Sequence, residues 1–324
     1  MERQWQGRGP ATLALLPLAG LFCTLAWLRR QAYAAGILRR QRLPVPVIVV
    51  GNISVGGVGK TPLVIWLVRH LRRQGWNPGV ISRGYGGRAG DWPRPVGADS
   101  DPAAVGDEPV LIARAAGCPL WVGPDRPEAA RRLLAESDVD LLVSDDGLQH
   151  YALERDLEIV VIDGGRRLGN RLCLPAGPLR EPPGRLRRAD LVVVNGPAAP
   201  GEAAMELIPT GLVQLADPRA RSGLEDFRGR RVHAVAGIGH PQRFFRLLQR
   251  QGLEVIAHPF PDHHPYRPSD LAFDDGLPIL MTGKDAVKCR PFADARCWSL
   301  EVELQPDAVF IERLNQRLQE RIHG

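Results

Sequence analysis

The alternation of hydrophobic and polar positions predicts strands and helices in turn along the chain. The run at 45–50 is apolar and rich in β-branched residues, and it ends in Gly51-Asn52. These features are typical of a buried parallel strand. From 61 to 74 the apolar residues recur at helical spacing, and a segment with Gly and Pro at 75–79 ends the pattern. The sequence therefore predicts a strand, a glycine-rich turn and a helix in direct succession.

The same alternation continues toward the C-terminus. Apolar runs predict strands at 80–82, 120–122, 141–144, 159–162 and 191–194, with helices at 108–116 and 127–136. A second series begins near Arg230, with strands at 232–236, 255–257 and 278–281 and a helix at 241–251. Strands that alternate with helices predict an α/β protein with doubly wound sheets. Because the window 215–230 has little periodicity, we expect three parts: a segment 1–43, an α/β domain at 44–222 and a smaller one at 223–324.

The residues from Gly9 to Leu28 form an uncharged run of 20 residues. A helix that spans a bilayer needs roughly 20 apolar residues, but Pro17 and Gly20 weaken this one. Two alternatives remain: a buried core helix or a signal peptide, which Arg3, Arg8 and Ala32-Tyr33-Ala34 would fit. We favour a helix that lies in or dips into the membrane. The basic residues after it would then bind anionic inner-membrane lipids on the cytoplasmic face: Arg29, Arg30, Arg39, Arg40 and Arg42.

The composition is that of a basic globular protein in a reducing compartment. Hydrophobic residues make up 44% and charged residues 24% of 324, and the net charge is +6. Because the basic residues form scattered pairs and aromatics are few, we expect anionic lipids as partners and no nucleic acid. Five cysteines without C-x-x-C spacing argue against a disulfide framework or a zinc site. Only three basic residues are lysines, Lys60, Lys284 and Lys288, which makes each a candidate for a role that arginine cannot fill.

The segment 54–61 contains the most specific chemical signal. It differs from the G-x-x-x-x-G-K-[ST] phosphate loop only in its first residue. In such a loop, backbone N–H groups surround an anion at a helix N-terminus, Lys60 reaches the β- and γ-phosphates, and Thr61 holds Mg²⁺. The sequence therefore predicts an ATP site made of Ser54, Val55, Gly56, Gly57, Val58, Gly59, Lys60 and Thr61.

Two carboxylates, Asp145 and Asp146, follow the apolar run 139–144. An apolar strand that ends in acids is typical of the element that orients Mg²⁺ in phosphate-loop proteins. Two acids at the end of a buried strand are costly unless a cation compensates them. The alternative is a solvated acidic turn.

Three other segments are ambiguous by themselves. Asp107-Glu108-Pro109 is an ordinary start for a helix. Asp262-His263-His264 is compatible with a base partner or with surface imidazoles, and adjacent histidines seldom bind one metal. The segment 82–87, which includes Tyr85, is either an anion clamp or a plain turn.

Taken together, these segments resemble the tetraacyldisaccharide 4′-kinase family, membrane enzymes of lipid A and lipopolysaccharide biosynthesis. The Asp-Asp-Gly-x-Gln-His sequence at 145–150 and the serine that begins the loop are distinctive of that family. The resemblance covers nearly the whole chain. The matching stretches are 51–62, 82–86, 106–109, 145–150, 175–181, 262–264 and 282–288.

The resemblance implies two Rossmann-like domains of the phosphate-loop type, with ATP and the lipid meeting between them. Asp107 would be the catalytic base and His263 its partner, with His264 still possible. Lys60 and Asp146 would also be catalytic, and Thr61, Asp145 and Asp146 would hold Mg²⁺. The residues implied to line the cleft are Tyr85, Glu108, Arg126, Gln149, Arg180 and Glu181. Gly283 departs from the family, since a Glu or similar residue is expected there.

The implied reaction is transfer of the γ-phosphate of ATP to the 4′-hydroxyl of a tetraacyldisaccharide 1-phosphate, the lipid A precursor, which forms lipid IVA. The alternative is a membrane-bound ATPase switch of the partitioning type, which also contains a Gly-Gly-x-Gly-Lys-Thr loop. Such switches carry a signature lysine just before the two glycines, and this chain has Val55 there.

Overall fold

A computed structural model describes Trp5, Gly7 and residues 9–323. The strands are β1 Val47–Gly51, β2 Pro78–Ser82, β3 Arg94–Pro95, β4 Leu120–Val122, β5 Leu141–Asp145, β6 Leu157–Asp163, β7 Leu191–Asn195, β8 Ala203–Gln214, β9 Arg221–Ser222, β10 Arg231–Ala236, β11 Glu254–Pro259, β12 Ile279–Thr282 and β13 Cys297–Pro306. The α-helices are α1 Pro10–Ala14, α2 Leu16–Ala34, α3 Lys60–Arg73, α4 Pro102–Val105, α5 Asp107–Ala116, α6 Arg126–Glu136, α7 Pro241–Arg250, α8 Gly283–Cys289 and α9 Ala308–Leu318.

The strands form one continuous sheet in the order β11-β10-β12-β13-β8-β7-β6-β1-β5-β2-β4-β3, with β9 beside β8. Pairing is parallel except between β13 and β8, β8 and β9, and β3 and β4. The predicted α/β class and the order of strand, phosphate loop and helix are confirmed. The structure adds that both predicted units contribute to a single sheet. The domain limits 1–43, 44–222 and 223–324 stay predictions.

Helices cover both faces of the first part of the sheet. In β1, Ile48 and Val50 pack in the core with α3, while Val47 and Val49 pack on the opposite face with α6. This follows from the two-residue period of a strand, which sends successive side chains to opposite faces. A strand buried on both faces reads as a continuous apolar run, which is why the sequence reveals it clearly.

The second part of the sheet is layered in the same way. Ala234 of β10 packs with Phe245 of α7 on one face, and Val235 packs with Ala286 of α8 on the other. The long antiparallel pair of β8 and β13 joins the two parts, with a bulge between Glu301 and Val302. Across this joint, α5 of the first part packs against α8 of the second.

The sequence-based assignment missed β8 and β13. Pro209 and Gly211 interrupt β8, and both residue types weaken a strand pattern. Its middle residues are only partly buried, so they lack the apolar run that marked the parallel strands. Both strands are defined by tertiary pairing, with each other and with β7 and β12.

The N-terminal segment forms α1 and α2, with the break at Leu15 just before Pro17. Within α2 only Ala19 is buried, so the alternative of a buried core helix is wrong. Several large apolar side chains are exposed: Leu13, Leu16, Leu18, Leu21, Phe22, Leu25, Trp27 and Leu28. Over the part of the chain that the structure describes, no helix combines the length and apolar character needed to cross a membrane. Arg3 and Arg8 lie outside the described residues.

Candidate active site

The glycine-rich turn after β1 wraps around the start of α3. Gly59 directly precedes the helix with φ +94°, and a Cβ there would collide with the Nδ2 atom of Asn195. That amide donates a 2.9 Å hydrogen bond to the Val58 carbonyl. Residue 59 must be glycine because its backbone is left-handed and its surroundings are full. The first N–H groups of α3 have no acceptor within the helix, so this turn is suited to bind an anion.

Lys60, the first residue of α3, is held between an amide and a carboxylate. Its Nζ lies 3.3 Å from Asn52 Oδ1 and 3.4 Å from Asp146 Oδ1. Asn52 in turn donates a 2.6 Å hydrogen bond to the Ser54 carbonyl. Asp146 follows β5, the parallel neighbour of β1. The carboxyl ends of two adjacent strands thus bring the cation and the acid together.

The two acids at the end of β5 have different surroundings. Asp145 is 1% exposed, and its Oδ1 has no hydrogen-bond partner among the described residues. Burial, together with the Glu108 and Asp146 carboxylates, raises the pKa of Asp145. Burial acts on Asp146 in the same direction, but the charges of Lys60 and Arg180 hold the pKa of Asp146 below its ordinary value. Asp146 is therefore compensated by cations, whereas at Asp145 burial and the neighbouring carboxylates outweigh the charges of Lys60 and Arg126.

The two cleft arginines converge on Asp146. Arg126 begins α6 and is buried, and its Nη2 donates a 2.6 Å hydrogen bond to the Asp146 carbonyl. Burial lowers the pKa of Arg126 to about 10. Arg180 Nη1 lies 3.3 Å from Asp146 Oδ2. Asp146 has φ +47°, and these contacts stabilise that strained backbone.

Asp107 is the buried first residue of α5. Gly106 before it has φ 94° and ψ 150°, a conformation almost confined to glycine. His263 Nδ1 lies 3.2 and 3.1 Å from Asp107 Oδ1 and Oδ2. His264 instead lies 3.0 Å from Asp270. The structure thus brings His263, not His264, to Asp107.

The contact between Asp107 and His263 shifts the pKa of both groups. Burial favours a higher pKa for Asp107, but the hydrogen bond from His263 and the charges of Lys284 and Lys288 bring that pKa below its ordinary value. The same hydrogen bond raises the pKa of His263 above 6.5 and outweighs its burial. Asp107 is therefore an ionised carboxylate at neutral pH, as a proton acceptor must be.

Lys284 and Lys288 on α8 also lie at Asp107. Lys284 Nζ is 3.2 Å from Glu108 Oε1 and 3.3 Å from His263 Nε2. Lys288 Nζ is 3.6 Å from Asp107 Oδ2. With Lys60 at the phosphate loop, every lysine of the chain is at this site.

Of the remaining predicted cleft residues, two hold the chain next to the phosphate loop and one is exposed to solvent. Gln149 Nε2 donates hydrogen bonds of 2.9 Å to the Asn52 carbonyl and 3.0 Å to Glu181 Oε1. Glu181 is buried. Gln149 and Glu181 therefore hold Asn52, the residue that leads into the phosphate loop, in place. Tyr85 is 61% exposed and its ring centroid lies 5.1 Å from that of His263, so it stands at the open side of the cleft.

Sequence reasoning assigned no role to several residues that hold the loop. Arg243 of α7 lies 3.1 Å from Asp163 Oδ2 and 3.4 Å from Asn195 Oδ1. Arg166 Nη2 donates a 2.8 Å hydrogen bond to the Gly57 carbonyl. Asp163 and Asn195 are the last residues of β6 and β7. Polar residues at the carboxyl ends of parallel strands are the signal by which they could have been found.

A phosphate loop at one end of the sheet and an ionised carboxylate–imidazole pair nearby define the class of this protein, an ATP-dependent phosphotransferase of the phosphate-loop fold. The chain belongs to the tetraacyldisaccharide-1-P 4′-kinase family, whose profile, LpxK, matches residues 11–319.

Individual relatives agree with this assignment. The tetraacyldisaccharide 4′-kinase of Alkalilimnicola ehrlichii is 58% identical over 313 residues, which cover 96% of this chain and 93% of the relative. The corresponding protein of Pseudomonas aeruginosa is 49% identical, with 97% and 96% covered. A crystal structure described as the apo form of LpxK from Aquifex aeolicus in complex with ATP superposes with a TM-score of 0.81 at 28% identity, covering 96% of this chain and 99% of that one.

The family match settles the class of reaction. The chain is a kinase of lipid A biosynthesis that phosphorylates the 4′-position of a tetraacyldisaccharide 1-phosphate. The alternative of a partitioning-type ATPase switch is not supported by this membership.

Proposed function

We propose that Asp107 is the base for this phosphate transfer. It accepts the proton of the 4′-hydroxyl while the hydroxyl oxygen forms a bond to the γ-phosphorus of ATP. The bond from that phosphorus to the bridging oxygen breaks, and ADP leaves with the electron pair. The observation that supports this is the ionised, buried Asp107 hydrogen-bonded to His263. Phosphoryl transfer requires a positioned base and charge neutralisation rather than covalent work by the protein.

The nucleotide site consists of residues 54–61. Lys60 supplies a point charge to the β- and γ-phosphates, and ATP entry exchanges its contact with Asp146 for contacts with phosphate oxygens. Backbone N–H groups from Gly56 to Thr61 orient the phosphates at the N-terminus of α3. Ser54 and Val55 are tied down from outside the loop, since Val55 N donates a 2.9 Å hydrogen bond to the Pro178 carbonyl.

The residues present fit Mg²⁺. Mg²⁺ prefers oxygen donors. Those available are the Asp146 carboxylate, the Thr61 hydroxyl and Asp145 Oδ1, which has no hydrogen-bond partner among the described residues. In the described part of the chain no three His, Cys, Asp or Glu side chains form a metal site by themselves; Mg²⁺ at a nucleotide usually takes one or two carboxylates and completes its shell with phosphates and water. When bound, Mg²⁺ neutralises charge on the phosphates.

The acceptor binds on the open side of Asp107. Tyr85, Glu108, Arg126 and Arg180 line the cleft around the point where the hydroxyl must approach. The arginines give this region positive potential, which suits a phosphorylated sugar. Gln149 and Glu181 act from beneath by fixing Asn52 and the loop.

The lipid acceptor reaches the cleft from the cytoplasmic face of the inner membrane. The exposed apolar side chains of α1 and α2 give the protein a surface for the bilayer interface. The arginines near the end of α2 and after it suit anionic head groups. An acceptor with four acyl chains stays in the bilayer, so an enzyme held there meets it directly.

Transfer of labelled γ-phosphate from ATP to a tetraacyldisaccharide 1-phosphate tests this proposal. Lys60→Ala should lower kcat about 100-fold or more, because a charge aimed at the transferred group is lost. Arg246→Ala is the matched control, since that basic residue is exposed on α7 and its Nε donates a hydrogen bond to the Gln242 carbonyl of the same helix, and it should keep wild-type activity. Near-normal transfer by Lys60→Ala would contradict the assignment of the loop.

A further inference from the structure

The stripe of two lysines on α8 is unexplained by the phosphate transfer itself. Lys284 and Lys288 are four residues apart, so they share one helix face, where like charges repel. Their side chains are only 16% and 11% exposed. Two cations on one face of a buried helix need acidic partners. Those partners are the acids around the proposed base: Asp107, Glu108, Asp262 and Asp285.

Lys288 faces the carboxylate of Asp107 from below. Its Nζ lies 3.6 Å from Asp107 Oδ2 and 3.2 Å from Asp285 Oδ1, and its charge is 5.0 Å from the centroid of the Tyr266 ring. Asp285 is fully buried and fixed by a 2.6 Å hydrogen bond from Thr282 Oγ1. The lysine is therefore held by a rigid anion on one side and faces the base on the other.

Lys284 contacts His263, the partner of Asp107. An ammonium group can only donate hydrogen bonds, and Lys284 Nζ lies 3.3 Å from His263 Nε2. This contact requires a lone pair on Nε2, so the ring proton of a neutral His263 resides on Nδ1. That is the nitrogen 3.1 Å from Asp107 Oδ2. Glu108 and Asp262, each 3.2 Å from Lys284 Nζ, fix the lysine in this position.

We propose that Lys284 and Lys288 are positioning residues, of which Lys284 fixes His263 as the tautomer that donates Nδ1–H to Asp107 and Lys288 keeps Asp107 ionised. This rests on the proposed role of Asp107 as the base. The two lysines act through that pair.

The pH dependence of kcat/KM for the acceptor tests the role of Lys288. Lys288→Met removes a positive charge next to Asp107, so the acid limb of the profile should move about 1 to 3 pH units higher, with KM for ATP within about twofold of wild type. Since this change leaves Asp285 buried without its cation, the neutral pair Lys288→Met/Asp285→Asn is made in parallel and should show the same shift. In an Asp107→Asn background, Lys288→Met should have almost no further effect. Arg246→Met is the control for loss of one charge.

Histidine ¹⁵N chemical shifts test the role of Lys284. In the wild-type protein above the pKa of His263, the ring should carry its proton on Nδ1. In Lys284→Met, a nearby positive charge is lost, so His263 should stay protonated to a pH about one unit higher.

Two results would contradict the proposed roles of the lysines. A wild-type His263 with its proton on Nε2, or an acid limb that does not move in either Lys288 variant, would overturn this inference while phosphate transfer by the wild type stands. Near-wild-type transfer by Asp107→Asn would instead overturn the proposed function.

Discussion

The most important side chains of this site are buried and charged, and each depends on the groups that surround its charge. Asp107, Asp145 and Arg126 are each at most 5% exposed, and an ion in such a place is tolerated only if a counter-charge or hydrogen bonds compensate it. Lys288 and His263 compensate Asp107, whereas at Asp145 burial and the neighbouring carboxylates outweigh the charges of Lys60 and Arg126. The pKa of Asp107 is accordingly lowered and that of Asp145 is raised.

The Asp107–His263 contact predicts a pH-dependent contribution to stability. Because the pKa of His263 is raised on folding, this contribution is full below the unfolded value of about 6.5 and is lost as pH rises through the folded pKa. The difference in unfolding free energy between wild type and His263→Gln should therefore be larger at pH 5.5 than at pH 9. Urea denaturation at both values measures it. A difference that grows with pH would contradict the raised pKa.

At the scale of elements, the phosphate loop depends on backbone conformation as well as on side chains. β1 delivers the chain to the loop, and α3 can begin at Lys60 because Gly59 adopts a left-handed conformation. The side chain of Asn195, from β7, occupies the space that any residue larger than glycine would need. The shape of the loop is thus set jointly by its glycines and by a strand distant in sequence.

Two glycine variants should separate these effects. Gly59→Ala should lower the unfolding free energy by about 1–3 kcal/mol, because alanine is strained at a left-handed φ and its Cβ meets Asn195. Gly57→Ala is the matched control, since a Cβ there meets nothing within 4 Å, and it should stay within about 0.5 kcal/mol of wild type. Denaturation without nucleotide measures both. Equal losses would show that the backbone at 59 is unstrained.

At the scale of the whole molecule, the pairing of β8 with β13 brings together the residues of the site. This antiparallel pair connects the part of the sheet on which α3, with Lys60, packs to the part on which α8 packs. Asp107 belongs to the first part and His263, Lys284 and Lys288 to the second. The proposed base is complete only when both parts stand in this arrangement, because residues 156 positions apart form its hydrogen bond.

The exposed apolar face of α2 predicts how the whole molecule associates with membranes. Leu21→Gln/Leu25→Gln should weaken co-sedimentation with vesicles of anionic phospholipid about tenfold or more, since two apolar side chains, 57% and 58% exposed, would no longer enter the interface. Ile208→Gln/Val302→Gln removes two exposed apolar side chains from β8 and β13 and should leave binding unchanged. Equal binding by both double variants would argue against α2 as the membrane contact.

The sequence by itself determined the elements whose signals are local. A strand buried on both faces is a continuous apolar run, and the glycines, Lys60 and Thr61 act at fixed spacing, so β1, the phosphate loop and α3 were predictable within two residues. The pair Asp145-Asp146 was found for the same reason, since it directly ends an apolar strand.

Only the tertiary structure decided what depends on distant partners. β8 and β13 carry weak patterns because much of what defines them is their mutual pairing. The choice of His263 over His264 follows from how the loop after β11 turns toward α5, with φ +60° at His263. Lys284 and Lys288 stood out as rare residues, but two of their acidic partners, Asp107 and Glu108, belong to α5, far away along the chain. The energy of interaction between two charges depends on their separation and burial, and the local sequence determines neither.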